Sequence, residues 1–202
     1  MGVTPQQFEQ MKSRLHGAGR TPRPVLPAHP PVRGSAPGVV LGVDPSLRGT
    51  GYGVIRFASP AAVVLAQGVV SCPAAWEVSR CLVKIAETLR DLIRQTRPTV
   101  CVVEGLFYAQ NLQTALVMGQ ARGASIVAAA EAGLEVYEIA PRKVKQAIVG
   151  YGAAQKLAVA KMVQRMLRLS ELPAPDAADA LALALAHAQE QGRYSLTPAR
   201  KV

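Results

Sequence analysis

The spacing of apolar positions changes character as the chain proceeds. VVLGV (Val39 to Val43) is an unbroken apolar run that suits a buried central strand. GYGVIRF (Gly51 to Phe57) reads as a second strand after a Gly-rich turn, and AAVVLAQGVVS (Ala61 to Ser71) as a third. Three strands joined by short turns predict an antiparallel meander. A helical period then takes over from Trp76 to Thr96, carried by Leu82, Ile85, Leu89, Leu92 and Ile93, and Pro98 ends it. TVCVVE (Thr99 to Glu104) is a fourth strand, residues 111–132 form a helix rich in small side chains, and LEVYEI (Leu134 to Ile139) is a fifth strand. Helices over about 141–149, 154–168 and 176–190 complete the pattern. The order predicts an α/β fold: a five-stranded mixed sheet, three strands antiparallel and two parallel, flanked by helices. The right-handed crossover rule allows strand four to lie parallel beside strand one, with the ends of both at one edge of the sheet.

Residues 1–38 break this pattern. Thr4 to Leu15 has the spacing of a short amphipathic helix. The following stretch carries Pro22, Pro24, Pro27, Pro30, Pro31 and Pro37, which neither a helix nor a sheet ladder accommodates. The expected organisation is a flexible, basic, Pro-rich extension over 1–38, a folded domain over 39–192 and a short tail over 193–202. The extension holds Lys12, Arg14, Arg20, Arg23 and Arg33 against Glu9. An inert leader and a DNA-binding arm both fit it.

The whole chain carries 23 Lys and Arg against 13 Asp and Glu, a formal net charge of +10. That balance favours a polyanionic partner such as nucleic acid, although a high isoelectric point also serves solubility alone. Cys72, Cys81 and Cys101 lack metal-ligand spacing and sit in apolar contexts, which excludes a zinc site and a disulfide framework in favour of small buried hydrophobes. No run reaches the roughly 18 apolar residues of a membrane helix, and the N-terminus is unlike a signal peptide. A cytoplasmic protein is expected.

Acidic residues are scarce, and their positions carry the chemistry. Asp44 ends the first strand, where open α/β sheets bind ligands; capping of a turn with Pro45 and Ser46 is the ordinary alternative. Glu104 ends the fourth strand. A charged Glu there is costly unless paired or bound to a cation, or unless it faces solvent. Asp176 and Asp179, three apart, share one face at the start of the last helix; an N-cap and a capping-box partner are the competing roles. Of four aspartates in the chain, only Asp91 lies outside this set. Four carboxylates from separate elements suit Mg²⁺, and a pair of such ions suits phosphodiester cleavage. Glycines in LRGTGYGV (Leu47 to Val54) resemble a phosphate loop but lack G-x-G-x-x-G and precede a strand, so a tight hairpin is expected. Arg142, Lys143, Lys145, Lys156, Lys161, Arg165 and Arg168 crowd one stretch, either to neutralise phosphates or as solvated helix faces; Lys145 and Lys156 are the strongest candidates. Phe107 and Tyr108, just after Glu104, either stack on an unpaired base or pack in the core.

Four stretches, LGVDPSLRGTGYGVI, VVEGLFYAQNLQTALVMGQARGASIVAAA, YEIAPRKVKQAIVGYGAAQK and PDAADALALALAH, occur in order over nearly all of residues 39–190. Together they resemble the RuvC family of crossover junction endodeoxyribonucleases. The resemblance implies an RNase H-like fold, two Mg²⁺ ions per active site with Mn²⁺ as a substitute, and a homodimer. It further implies paired symmetric nicks in a four-way Holliday junction, in homologous recombination and DNA repair, beside the RuvA–RuvB branch-migration complex. It assigns Asp44, Glu104, Asp176 and Asp179 to catalysis and metal binding. Phe107, Arg142, Lys145 and Lys156 fall to DNA binding, and the segment around Gln120, Arg122 and Gly123 to the dimer. The leader and Ser46, where the family often has Gly, depart from the pattern. Rival readings are an actin-like ATPase, for which the chain is short and lacks a second phosphate loop; a non-catalytic junction-binding module; and a nuclease of RNA–DNA hybrids.

Overall fold

The computed structural model describes residues 38–58, 61–105, 111–191 and 199–202. The Pro-rich extension, the helix expected over Thr4 to Leu15, and Phe107 with Tyr108 lie outside the described residues. The described chain runs β1 (Val39–Asp44), β2 (Gly49–Arg56), β3 (Val63–Ser71), α1 (Val78–Thr96), β4 (Val100–Glu104), α2 (Leu112–Glu131), β5 (Glu135–Ile139), α3 (Pro141–Val149), α4 (Lys156–Leu167), α5 (Pro175–Gln191) and β6 (Arg200–Lys201). The sheet order is β3-β2-β1-β4-β5-β6. β1, β2 and β3 form the expected antiparallel meander, and β4 lies parallel to β1 with β5 parallel to β4.

The sheet has six strands rather than the five expected. The extra strand, Arg200–Lys201, pairs antiparallel with β5 and falls in what reads as a tail. Two residues carry no periodicity. Strand β6 is held by backbone bonds and by the ion pair of Lys201 with Glu135 on β5, none of which leaves a hydrophobic signature.

Helices cover both faces. Leu41, Val43, Cys101 and Val103 point toward α1 and α2, where they pack with Ile85, Leu89, Ala121 and Ala128. Val40, Ile55 and Val102 point the other way, toward α3, α4 and α5. Period-two alternation therefore puts Asp44 and Glu104 on the α5 face, because each follows a valine committed to the other side. The parallel register pairs Val43 with Val103. Carried one residue further, it sets Asp44 level with Glu104. All three cysteines are buried thiols without a disulfide, as the sequence implies.

Helix α5 is buried around almost its whole circumference from Ala177 to His187. Such a helix needs neighbours on every side, and the strands beneath it make room with glycine. A Cβ on Gly42 would lie 2.0 Å from the Ala180 carbonyl oxygen, and one on Gly51 2.0 Å from that of Asp176. The Gly-rich stretch is thus strand rather than turn: β2 begins at Gly49, and its alternate glycines let α5 rest on bare backbone. Gly51→Ala is expected to destabilise the protein by about 2–3 kcal/mol, since overpacking against backbone cannot relax by a rotamer change. An unchanged urea midpoint would contradict this packing.

Candidate active site

Each acidic candidate reaches the same place by a different route. β1 and β4 deliver Asp44 and Glu104 at the carboxyl ends of neighbouring strands. Helix α5 starts at Pro175, and the Ala178 amide donates to the Ala174 carbonyl, so Ala174 rather than Asp176 holds the capping position. Asp176 sits in the first turn with its carboxylate over Gly49: Oδ2 lies 3.1 Å from where a Cβ there would be. Asp179, one turn on, accepts from Lys156 Nζ at 2.8 Å rather than closing a capping box. The turn behind Asp44 is braced internally, with the buried Thr50 hydroxyl donating to the Ser46 carbonyl and accepting from the Ser46 amide.

Asp44, Glu104, Asp176 and Asp179 line one cavity of about 350 Å³, with Lys145 and Lys156 on its rim and Met118, Pro141 and Val144 as apolar wall. A neighbouring cleft, lined by Arg48, Gln113 and Thr114 among others, shares Ser46 and Met118 with it and extends the trough along the start of α2. Arg142 does not join the cavity. It is exposed and its side chain lies against Gly152. Arg122 faces the sheet instead of the outer surface of α2: it is only 7% exposed and pairs with Glu138. Arg122 is thus turned inward, while Gly123 in the same segment has open space above it. Phe107 cannot be placed, being outside the described residues.

The cluster is electrostatically unbalanced. Burial, then the neighbouring Asp44 charge, pushes the Glu104 carboxyl up to about 8. Burial, then the Asp179 charge, pushes Asp44 up to about 6, although a hydrogen bond with Glu104 partly offsets this. Asp44 senses all three other carboxylates and is the centre of the group. Lys156 is the nearest compensating charge, and its ammonium is held in the charged form chiefly by Asp179.

The donor set fits a hard divalent cation. It consists of carboxylate oxygens in a partly open cavity, and Asp44 and Glu104 carry a raised proton affinity that a cation would relieve. Among the described residues no three such side chains are already drawn around one point. Asp179 pairs with Lys156, and Glu104 shares a hydrogen bond with Asp44.

The sign of the pH dependence follows from the raised Glu104 pKa. The folded state holds this proton more tightly than the unfolded one, so its stabilising contribution is complete below about pH 4.5 and is lost as pH rises through about 8. Glu104→Gln, which mimics the protonated form, should therefore raise the metal-free melting temperature at pH 8, on the order of 5 °C, and change it little at pH 5. A scan of melting temperature against pH checks this, and an equal effect at both values contradicts it.

Comparison with known proteins identifies the family and the fold. The family model for crossover junction endodeoxyribonuclease RuvC matches residues 40–187. Curated proteins of that description from Akkermansia muciniphila and Teredinibacter turnerae are 47% and 48% identical over 126 and 131 residues, covering 62% and 63% of this chain and 75% and 74% of theirs. Thermus thermophilus RuvC, solved in complex with a Holliday junction substrate, superposes with a TM-score of 0.73 at 36% identity, over 82% of this chain and 99% of that one. The RNase H-like fold expected from the sequence is the one found, with a sixth strand at its edge. With the match running from β1 through most of α5 and including all four acidic positions, the chain belongs to the RuvC family of crossover junction endodeoxyribonucleases.

Proposed function

We propose that this chain resolves Holliday junctions by paired symmetric nicks that leave 5′-phosphate and 3′-hydroxyl ends, in homologous recombination and DNA repair. The observation that carries the reading is the convergence of Asp44, Glu104, Asp176 and Asp179 on one cavity with Lys145 and Lys156 at its rim. No helix among the described residues is long and apolar enough to cross a membrane, and a cytoplasmic place beside the chromosome fits the basic charge of the chain.

Asp44, Glu104, Asp176 and Asp179 would hold the metal, with Asp44 at the electrostatic centre of the set. Mg²⁺ bound there, or Mn²⁺ in its place, supplies Lewis-acid stabilisation of the charge that develops on the phosphodiester. The chain's own residues do the rest. Lys156 holds Asp179 in the free protein and, with Lys145, offers positive charge to a strand phosphate entering the cavity. Met118, Pro141 and Val144 make one wall apolar, which strengthens every charge interaction within. The trough along the start of α2 gives the strand a path away from the acidic centre. Arg142, exposed on α3, is an outer phosphate contact, and Phe107 an aromatic contact to the junction's unpaired bases.

The substrate's two-fold symmetry calls for two active sites, and α2 offers a surface for pairing. Leu112, Leu116 and Val127 are exposed on it, and Gly119 and Gly123 have open space above them. These positions fall on one stripe of the helix. A homodimer formed there would present two cavities to one junction, and the RuvA–RuvB branch-migration complex is the proposed partner assembly.

Asp44→Asn is expected to abolish Mg²⁺-dependent nicking of a four-way junction while gel-shift binding persists; retained nicking would remove Asp44 from the mechanism. Lys145→Ala combined with Lys156→Ala should weaken junction binding and lower the slope of log affinity against log salt by roughly 1–2. An unchanged slope would make both lysines bystanders.

A further inference from the structure

Glu104 stands on the last residue of β4, where the sheet's own ladder ends, and the group that fixes its backbone comes from the opposite face. Arg122, in the middle of α2, sends its guanidinium under the end of the sheet. Nη1 donates to the Glu104 carbonyl at 3.1 Å, and Nη2 donates to the Glu138 carboxylate on β5. Arg122 is nearly buried, and Glu138 is mostly covered. Glu138 also closes over the next residue of the chain: its Oε1 lies 3.0 Å from where a Cβ on Gly105 would be. Gly105 in turn donates its amide to the Ile139 carbonyl at 2.9 Å. One planar fork therefore ties helix α2 to the ends of two strands at the point where Glu104 leaves the sheet.

Arg122 contacts the backbone of Glu104 and not its carboxylate. The groups that shift Glu104 are burial, Asp44, Asp179 and Lys156. Glu138 absorbs the guanidinium charge on the α2 face while Glu104 projects toward α5. A packing role alone is poorly served by this arrangement, since apolar side chains of similar volume replace buried ion pairs with little loss. Such a replacement would leave the Glu104 carbonyl without its donor at the ladder's end.

We propose that Arg122, locked by Glu138, is a positioning residue: it fixes the backbone of Glu104 so that its carboxylate meets Asp44 in the cavity. The inference rests on the nuclease reading above, yet it concerns a pair which that reading leaves unassigned. Lysine at 122 keeps the charge beside Glu138 but cannot fork between a carboxylate and a carbonyl. A displaced Glu104 then costs rate and metal response while the DNA-binding surface is intact.

The test uses the full-length protein, with Arg122→Lys and Glu138→Gln compared to wild type. Single-turnover nicking of a four-way junction at saturating protein should fall about 10- to 100-fold in Arg122→Lys, with junction affinity measured in EDTA within about twofold of wild type. The half-saturating Mn²⁺ concentration should rise, and the Mn²⁺-induced increase in melting temperature should shrink. Glu138→Gln should show the same pattern in weaker form, and it carries the test if Arg122→Lys does not fold. A variant that is less heat-stable but keeps the wild-type nicking rate and Mn²⁺ response would overturn the proposal and leave Arg122 a structural residue. Wild type that leaves junctions uncut would fault the nuclease reading instead, and the Mn²⁺ melting shift would still read the positioning role.

Discussion

Two aspartates can hang over the end of this sheet only because helix α5 lies almost on the strand backbone. Gly42 and Gly51 leave no room for even a methyl group beneath Ala180 and Asp176. This close approach fixes the height of Asp176 and Asp179 above Asp44, and the burial of α5 between the sheet and helices α3 and α4 makes the approach rigid. The acidic cluster assembled from β1, β4 and α5 therefore inherits its geometry from this close contact between helix and strand. Loops, which are softer, contribute the turn behind Asp44 and the bracing of Ser46 by Thr50.

Rigid placement has an electrostatic consequence. Burial, and then the neighbouring charges, makes Asp44 and Glu104 retain protons at pH values where free carboxylates have lost them. The same burial and repulsion that burden these two carboxyls would be relieved by a cation in the proposed site. Lys156 is the provisional counter-charge, attached to Asp179 yet long and solvent-accessible enough to move. Stability surrendered at this site is the physical form its readiness takes.

Much of this was legible in the residues themselves. Asp44 and Glu104 each end an unbroken apolar run, and alternation along β1 and β4 fixes which face they occupy. The spacing of Asp176 and Asp179 likewise holds at the start of a helix. What the sequence hid were contacts between faces. The expected hairpin joins β1 to β2, but its glycines lie in strand β2 and not in the turn, because a helix packed on bare strand leaves the same local signature as a turn. Strand β6 is too short for periodicity to register. Arg122 sits in a segment that the family resemblance associates with the dimer, and only the three-dimensional arrangement shows it turned inward to Glu138 and the Glu104 carbonyl. Arg142 lay in the right stretch of sequence but points along α3 toward Gly152, outside the cavity.

The central claim is that a repulsive carboxylate cluster at the meeting of β1, β4 and α5 is a divalent-cation site. Anomalous diffraction from crystals grown with Mn²⁺ tests it directly. The account predicts anomalous density inside the cavity bounded by Asp44, Glu104, Asp176 and Asp179, with the Lys156 ammonium withdrawn from Asp179. Density confined to other parts of the surface, with Lys156 still on Asp179 and the cavity holding only water, would contradict it.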